Sequence, residues 1–348
     1  MFNNQSTGIL FRCDASWEIG SGHVMRCISL ARELKATGFR VVFLTNSGGA
    51  EVLRGFVEFT IEVESIHEKS KETLQILESI NKYEIKYLIW DSYQLNQENL
   101  TAVSTRVLTM VVDDIYLLSV YECDAILNPN IYASREKYST TKQTNMLLGL
   151  NYLMLRPSFS NLKGQYLIEN RVNRILLTFG GSDEYNLTRH FCEWLNEFET
   201  FNLKISLVLG SHYQFKQELF EYLDKPSLHE YKVYHNVKAM ADLLIQQDIV
   251  ICAGGSTMYE LACLGIPACP VITAENQREL VETFGRYGAC EALGDVQSLS
   301  KPLFQQSFHK LVSSNEIRLK MSRLGSALVD GRGASRVAEY IQKRLTGV

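Results

Sequence analysis

Short apolar runs alternate with stretches of helical period along the whole chain. Gly8-Ile9-Leu10-Phe11-Arg12-Cys13 reads as a strand, Val24 to Thr37 as a helix and Val41-Val42-Phe43-Leu44 as the next strand, which together make a βαβ unit. In the helix, Val24, Cys27, Ile28, Ala31 and Leu34 fall at i, i+3, i+4, i+7 and i+10, so one face is expected to be buried. Gly38 follows where a C-terminal capping glycine belongs. Further strands are predicted at Tyr87 to Trp90, Val107 to Val112 and Asp124 to Leu127, giving a doubly wound parallel sheet.

The polar stretch after Arg156-Pro157 carries no strong period, and the pattern then restarts. Arg174 to Phe179, Lys204 to Leu209, Tyr231 to Tyr234 and Asp248 to Cys252 read as the strands of a second α/β domain. The expected division is an N-terminal domain over 1–158, a linker over 159–170 and a C-terminal domain over 171–348, with the last helix free to pack back on the N-terminal domain. The fold class is α/β, two doubly wound Rossmann-like domains expected to face a cleft, where small-molecule sites tend to form. No repeat of 20 to 50 residues and no low-complexity tract interrupts this reading.

Composition narrows the function classes. The 348 residues suit two domains, and 35 Lys plus Arg against 39 Asp plus Glu give a formal charge of −4. With a pI near 6.0, no electrostatic footprint for nucleic acid exists. No apolar stretch approaches the roughly 20 residues of a membrane-spanning helix. The first residues, Met1-Phe2-Asn3-Asn4-Gln5-Ser6, lack the basic and apolar regions of a secretory signal, so a cytoplasmic protein is expected. Cysteines 13, 27, 123, 192, 252, 263, 269 and 290 form no Cys-x-x-Cys pair, the seven histidines are dispersed, and neither a metal site nor a cofactor is expected.

The candidate chemistry sits at strand ends. The first strand runs into Asp14 and, after a short loop, Ile19-Gly20-Ser21-Gly22-His23 opens the amphipathic helix. Met25 occupies the position of the third small residue of a dinucleotide fingerprint, and Thr45-Asn46-Ser47 lacks the ribose-binding acid, so dinucleotide binding is rejected. The positive end of a helix disfavours an imidazolium, which suits His23 to a general base; on spacing alone a cap or a buried hydrogen bond serves as well. Asp91, Asp113 and Asp114, predicted at the same sheet edge, could orient an imidazole or bind sugar hydroxyls, or serve as turn residues. In the second half, Phe179-Gly180-Gly181-Ser182-Asp183 and Ala253-Gly254-Gly255-Ser256-Thr257 are glycine turns after strands, the geometry of a phosphate cradle. No Gly-Lys-Ser/Thr follows, so neither is a Walker A loop, and no Asp-x-Asp offers a diphosphate a divalent ion. Thr257-x-x-Glu260 also reads as a capping box, the better structural reading of Glu260.

Phe11-Arg12-Cys13-Asp14, Ile19 to Cys27, Leu127-Asn128-Pro129-Asn130-Ile131-Tyr132-Ala133 and Gly180-Gly181-Ser182-Asp183 together resemble the UDP-sugar hydrolases of pseudaminic acid biosynthesis, over almost the whole chain. Ala253 to Glu260, Gly265-Ile266-Pro267 and Glu275-Asn276-Gln277 also resemble the nucleotide domain of MurG-type glycosyltransferases, with Glu275 standing as a departure before Asn276. The resemblance implies a glycosyltransferase-B fold and metal-independent hydrolysis of UDP-2,4-diacetamido-2,4,6-trideoxy-β-L-altropyranose to UDP and the free sugar. It implies His23 as general base on water. Arg12, Asp14, Gly20, Ser21, Gly22, Asp91, Tyr93, Asn276 and Gln277 would lie about the sugar. Gly180, Gly181, Val237, Gly254, Gly255, Ser256, Thr257 and Glu260 would hold UDP, with Glu260 on the ribose and Val237 on the uracil. The expected partner is this small-molecule UDP-sugar, not a nucleic acid or a membrane, and the sequence sets no oligomeric state. A soluble UDP-sugar glycosyltransferase and a non-catalytic UDP-sugar binding protein are the competing readings.

Overall fold

The computed structural model describes residues 7–16, 20–63, 71–198, 201–235, 237 and 239–347. The six residues read for a secretory signal lie outside that set, as does Ile19 of the glycine motif. The chain divides into two compact units, Met1–Arg156 with Gly331–Val348, and Pro157–Asp330.

In the first unit, seven strands run parallel: β1 (Gly8–Cys13), β2 (Arg40–Thr45), β3 (Thr60–Val63), β4 (Ile85–Asp91), β5 (Leu108–Val112), β6 (Ala125–Asn128) and β7 (Asn145–Leu148). Helices α1 (Gly22–Ala36), α2 (Ser47–Leu53), α3 (Glu72–Lys82) and α4 (Gln97–Ser104) form the crossovers between β1 and β5. The strand order is β3-β2-β1-β4-β5-β6-β7, so the order reverses between β1 and β4. That reversal opens a crevice at the carboxyl ends of these two strands, the place where doubly wound sheets bind ligands.

Both faces of the sheet are covered, which is why its central strands are almost wholly apolar. Ile9 and Phe11 of β1 pack with Val24, Cys27, Ile28, Ala31 and Leu34, the face of α1 marked by its period. Leu10, pointing the other way, joins Ile76 of α3 and Leu100 of α4. Gly38 follows the end of α1 with φ 94°, a conformation that side chains resist. The edge strands β3 and β7 are absent from the sequence reading because each has four residues and little two-residue alternation.

In the second unit, β8 (Arg174–Thr178), β9 (Lys204–Leu209), β10 (Glu230–His235), β11 (Ile249–Ala253) and β12 (Ala268–Val271) form a parallel sheet in the order β10-β9-β8-β11-β12. The reversal here lies between β8 and β11. β12 carries Pro270, which reads against a strand and is tolerated because this strand is an edge. The helices are α5 (Pro157–Leu162), α6 (Leu187–Leu195), α7 (Lys216–Leu223), α8 (Met240–Leu244), α9 (Thr257–Leu264), α10 (Arg278–Arg286), α11 (Lys301–Ser313) and α12 (Asn315–Leu328).

The stretch 159–170, read as a linker, belongs to this unit. Phe159 is wholly buried, and Lys163 Nζ donates to the carbonyls of Ser326 and Val329, each at 2.7 Å. Buried Arg318 of α12 donates to the carbonyls of Glu169 and Asn170. These anchors leave no period in the sequence, since they use single side chains and backbone oxygens. The last helix, α13 (Gly333–Thr346), belongs to the first unit, where it packs on α1 and Ser335 donates to Glu33. Among the described residues no helix is long and apolar enough to cross a membrane.

Candidate functional site

The switch point of the first sheet gathers a buried charged cluster. α1 starts at Gly22 and places His23 in its first turn, at the carboxyl end of β1, while β4 ends in Asp91 on the neighbouring strand. The ring is turned toward Asp91 rather than capping its own helix: Nδ1 lies 2.5 Å from Asp91 Oδ1. A carboxylate only accepts, so this contact requires the proton on Nδ1 and leaves Nε2 of the neutral ring as the basic nitrogen. Nε2 has no hydrogen-bond partner among the described residues. The Tyr93 ring packs perpendicular to the imidazole with centroids 4.5 Å apart. An imidazole held in this way is oriented and can accept a proton at Nε2.

Arg26, one turn further along α1, completes the cluster, and sequence reasoning left it out of the site. Its Nε donates to Asp91 Oδ2 at 2.6 Å, its Nη2 to Asp91 Oδ1 at 2.5 Å and its Nη1 to Asp114 Oδ2 at 2.8 Å. The available signal was the spacing His23-x-x-Arg26, which puts both residues on one helix face. Asp91 is fully buried. Burial alone would raise its carboxyl, but the Arg26 guanidinium and the His23 ring hold it well below the ordinary carboxylate range. Burial pushes the Tyr93 hydroxyl upward, and the nearby Asp114 charge pushes it further.

Arg12 and Asp14 lie behind this edge, 1% and 3% exposed. Arg12 Nη1 donates to Asp14 at 2.6 Å and its Nε to Glu72 at 2.8 Å, while Ser92 donates to the other oxygen of Asp14. Consecutive residues thus serve two networks, Asp91 under His23 and Ser92 on Asp14. Gly20, with φ 70°, pairs with Ser16 across the loop; Ser21 precedes α1 without a side-chain cap, and its carbonyl accepts from Met25. Asp113 and Asp114 diverge: Asp113 accepts from Tyr121 and the backbone of Ile115 and Leu117, Asp114 from Arg26. Among the described residues, no group of three or more His, Cys, Asp or Glu is placed to hold a metal ion. A concavity of about 680 Å³ lined by Asn81, Lys86, Arg106 and Arg344 opens at the amino edge of the sheet and shares no residue with the cluster.

The glycine turns of the second unit follow β8 and β11, the strands at its own switch point. Behind Gly180 and Gly181, the start of α6 is already filled, since the Asp183 carboxylate accepts from the N–H groups of Leu187 at 2.8 Å and Thr188 at 2.9 Å. The N–H groups of Leu187 and Thr188 at the head of α6 are thus taken by the chain's own carboxylate. Behind Gly254 and Gly255, the start of α9 is open. Among the described residues, the N–H groups of Gly255, Ser256 and Thr257 have no acceptor. Gly254 is required by close approach, for a Cβ there would lie 2.4 Å from Val281 Cγ2. The capping box is corrected. Ser256 precedes the helix without a side-chain cap and Thr257 is its first residue, so Glu260 stands fourth rather than third after the cap.

Asn276 is exposed on the single turn before α10, beside Glu275, which pairs with Arg278. Gln277 Oε1 accepts from the backbone and hydroxyl of Thr273, so its carbonyl holds the loop and its amide group remains. Val237 is half-buried after β10, and its two neighbours lie outside the described residues. Each unit thus brings its own candidates to one sheet edge.

Two Rossmann-like units with these strand orders make a glycosyltransferase-B fold. The MurG crystal structure from Acinetobacter baumannii shares it with a TM-score of 0.69 at 15% identity, over 96% of this chain and 99% of that one. Residues 175–325 match the model of the glycosyltransferase family 28 C-terminal domain. The spore coat polysaccharide biosynthesis protein SpsG of Bacillus subtilis is 27% identical over 94% of this chain and 96% of its own length. The UDP-2,4-diacetamido-2,4,6-trideoxy-beta-L-altropyranose hydrolase of Campylobacter jejuni is 28% identical over 52% of this chain and 62% of its own length.

Proposed function

We propose that this protein is a nucleotide-sugar hydrolase that cleaves UDP-2,4-diacetamido-2,4,6-trideoxy-β-L-altropyranose, or a close UDP-diacetamido sugar, to UDP and the free sugar. The observation that carries the reading is the His23 ring fixed by Asp91 through Nδ1 with Nε2 left as base. In this reading Nε2 takes a proton from water, the water oxygen bonds to the anomeric carbon, and the bond from that carbon to the diphosphate oxygen breaks with its electron pair leaving on UDP. A nucleoside diphosphate is a stable anion, so the reaction depends more on a base and on dipoles for the diphosphate than on a general acid. The open N–H groups of Gly255, Ser256 and Thr257 supply such dipoles, and Glu260, in the first turn of α9, is assigned to the ribose. Tyr93, Asn276 and the Gln277 amide are assigned to the sugar. Arg12 and Asp14 pair with one another behind the edge that carries His23, held by Glu72 and Ser92. The likeness to the C. jejuni hydrolase supports the substrate class.

The family 28 match favours one second reading, transfer of the glycosyl unit to an acceptor other than water. Incubating the protein with the UDP-sugar and no acceptor separates the two. Hydrolysis yields UDP and free sugar in equal amounts; UDP appearing only when an acceptor is added overturns the proposal in favour of transfer.

A further inference from the structure

We propose that Arg26 is the positioning residue of this site, locking the Asp91 carboxylate under Nδ1 of His23 so that Nε2 alone is presented as base. The inference rests on the hydrolase reading for its consequence in turnover, and on the geometry of the first unit for everything else.

Asp91 offers two oxygens, and all of its near partners are accounted for. Oδ1 receives His23 Nδ1 and Arg26 Nη2, while Oδ2 receives Arg26 Nε and, at 3.5 Å, the Cys27 thiol. Burial pushes that thiol well above its ordinary range and so keeps it protonated as a donor. A carboxylate gripped along one whole edge by a planar guanidinium cannot rotate about its last bond without breaking two charge-assisted bonds. Arg26 is itself fixed from the far side by Asp114. Burial alone would weaken its charge, but Asp91 and Asp114 hold the guanidinium more firmly protonated than usual. The chain of constraint therefore runs Asp114, Arg26, Asp91, His23.

The lock also sets how much negative charge the ring feels. A bare buried carboxylate on Nδ1 favours the imidazolium, which is no base; a carboxylate paired with a guanidinium orients the ring with far less bias toward the charged form. Among the described residues, the charged and titratable groups around the ring are Asp91 from β4, Arg26 and Cys27 from α1, Tyr93 from the loop after β4 and Asp114 from the loop after β5. Arg26 is the one cation among them.

The test compares wild type with Arg26→Gln and Arg26→Lys by pH-dependent UDP release, calorimetry with UDP, and nitrogen NMR of the ring in the substrate-free protein. Arg26→Gln is expected to lose about 100-fold in kcat at neutral pH, with UDP affinity within about twofold. The acidic limb of its kcat profile should move to higher pH, and the ring should leave its single Nδ1–H form for a mixture. Arg26→Lys keeps the charge without the fork, so it should regain about tenfold of the lost rate, stay about tenfold below wild type with a mixed ring form, and keep the wild-type limb. Arg26→Gln that keeps kcat within threefold, with an unmoved acidic limb and an unchanged ring, overturns the inference. If Arg26→Gln fails to fold, the ring form and rate of Arg26→Lys decide: a single Nδ1–H form with an unchanged rate overturns it, a mixed form with a reduced rate upholds it. Should wild type release no UDP from any diacetamido sugar nucleotide, the hydrolase reading fails, and the ring measurement still judges Arg26.

Discussion

The second unit contains two glycine turns that look alike in sequence and differ in what they leave available. After β8, Gly180-Gly181-Ser182 leads to Asp183, whose carboxylate takes the N–H groups of Leu187 and Thr188 at the head of α6. After β11, Gly254-Gly255-Ser256 leads to Thr257, and among the described residues the N–H groups of Gly255, Ser256 and Thr257 meet no acceptor. One helix satisfies its positive end with a side chain from its own loop, and the other, among the described residues, does not. The difference rests on Asp183 and on the length of the loop: α6 begins four residues after Asp183, so that carboxylate reaches the head of its helix, whereas α9 begins at Thr257 itself. A glycine-rich turn is thus only half of a phosphate site; the other half is that nothing in the loop competes for the amides.

The largest effect is expected away from both turns and sharpens the comparison by separating chemistry from nucleotide holding. His23→Ala should lower kcat by about 10²–10⁴-fold, on the order of 3–5 kcal/mol, and leave UDP affinity by calorimetry unchanged. A variant that keeps more than about a tenth of the wild-type rate would show that His23 is not the base.

The direct test of the open end is Ser256→Pro. Ser256 has φ −58°, which a proline ring adopts without strain, and its N–H is one of those lacking an acceptor. The substitution removes the amide hydrogen together with the Ser256 hydroxyl, so thermal stability should hold while UDP affinity falls by about 10- to 100-fold, the loss of a hydrogen bond to a charged group, and Ser256→Ala measures the hydroxyl's share. Unchanged affinity would mean that the end of α9 does not touch the diphosphate. At the closed end the pattern reverses. Asp183→Ala should cost about 0.5–2 kcal/mol of stability in thermal unfolding, as the loss of a helix cap does, with UDP affinity within twofold. If instead affinity dropped with little change in stability, the closed end would be the nucleotide site and the comparison would stand inverted.

How much of this was legible depends on the range of the interaction. The central strands and α1 were readable because burial imposes a period on neighbouring residues, as at Val24, Cys27, Ile28 and Leu34. Strands β3, β7 and β12 were not, since four-residue edge strands carry little alternation and Pro270 argues against one of them. His23 and the strand-end aspartates were visible from their places beside predicted strands, and the fold brings His23 and Asp91 together by pairing β1 with β4. Which aspartate meets which partner was not visible: Asp113 serves its own loop and Asp114 serves Arg26, a choice made by side-chain direction at the end of β5. The closure of α6 was not legible, because Asp183 stands four residues before the helix rather than at its N-cap, the position from which an aspartate signals a helix start.

The smallest expected effect concerns metal. If backbone amides at α9 meet the diphosphate, turnover requires no divalent ion, and excess EDTA should leave the rate of UDP release within experimental error. Asp113 and Asp114 are the adjacent acids at the first sheet edge, and their carboxylates are spent on different partners, Tyr121 with the loop backbone for one and Arg26 for the other. Drawing both onto one ion would break the bond that fixes Arg26, and with it the hold on Asp91. Loss of activity in EDTA that Mg²⁺ or Mn²⁺ restores would therefore overturn more than metal independence. It would mean that the Asp114–Arg26 contact opens in the working enzyme, and the division between an open and a closed helix end would no longer explain how the diphosphate is held.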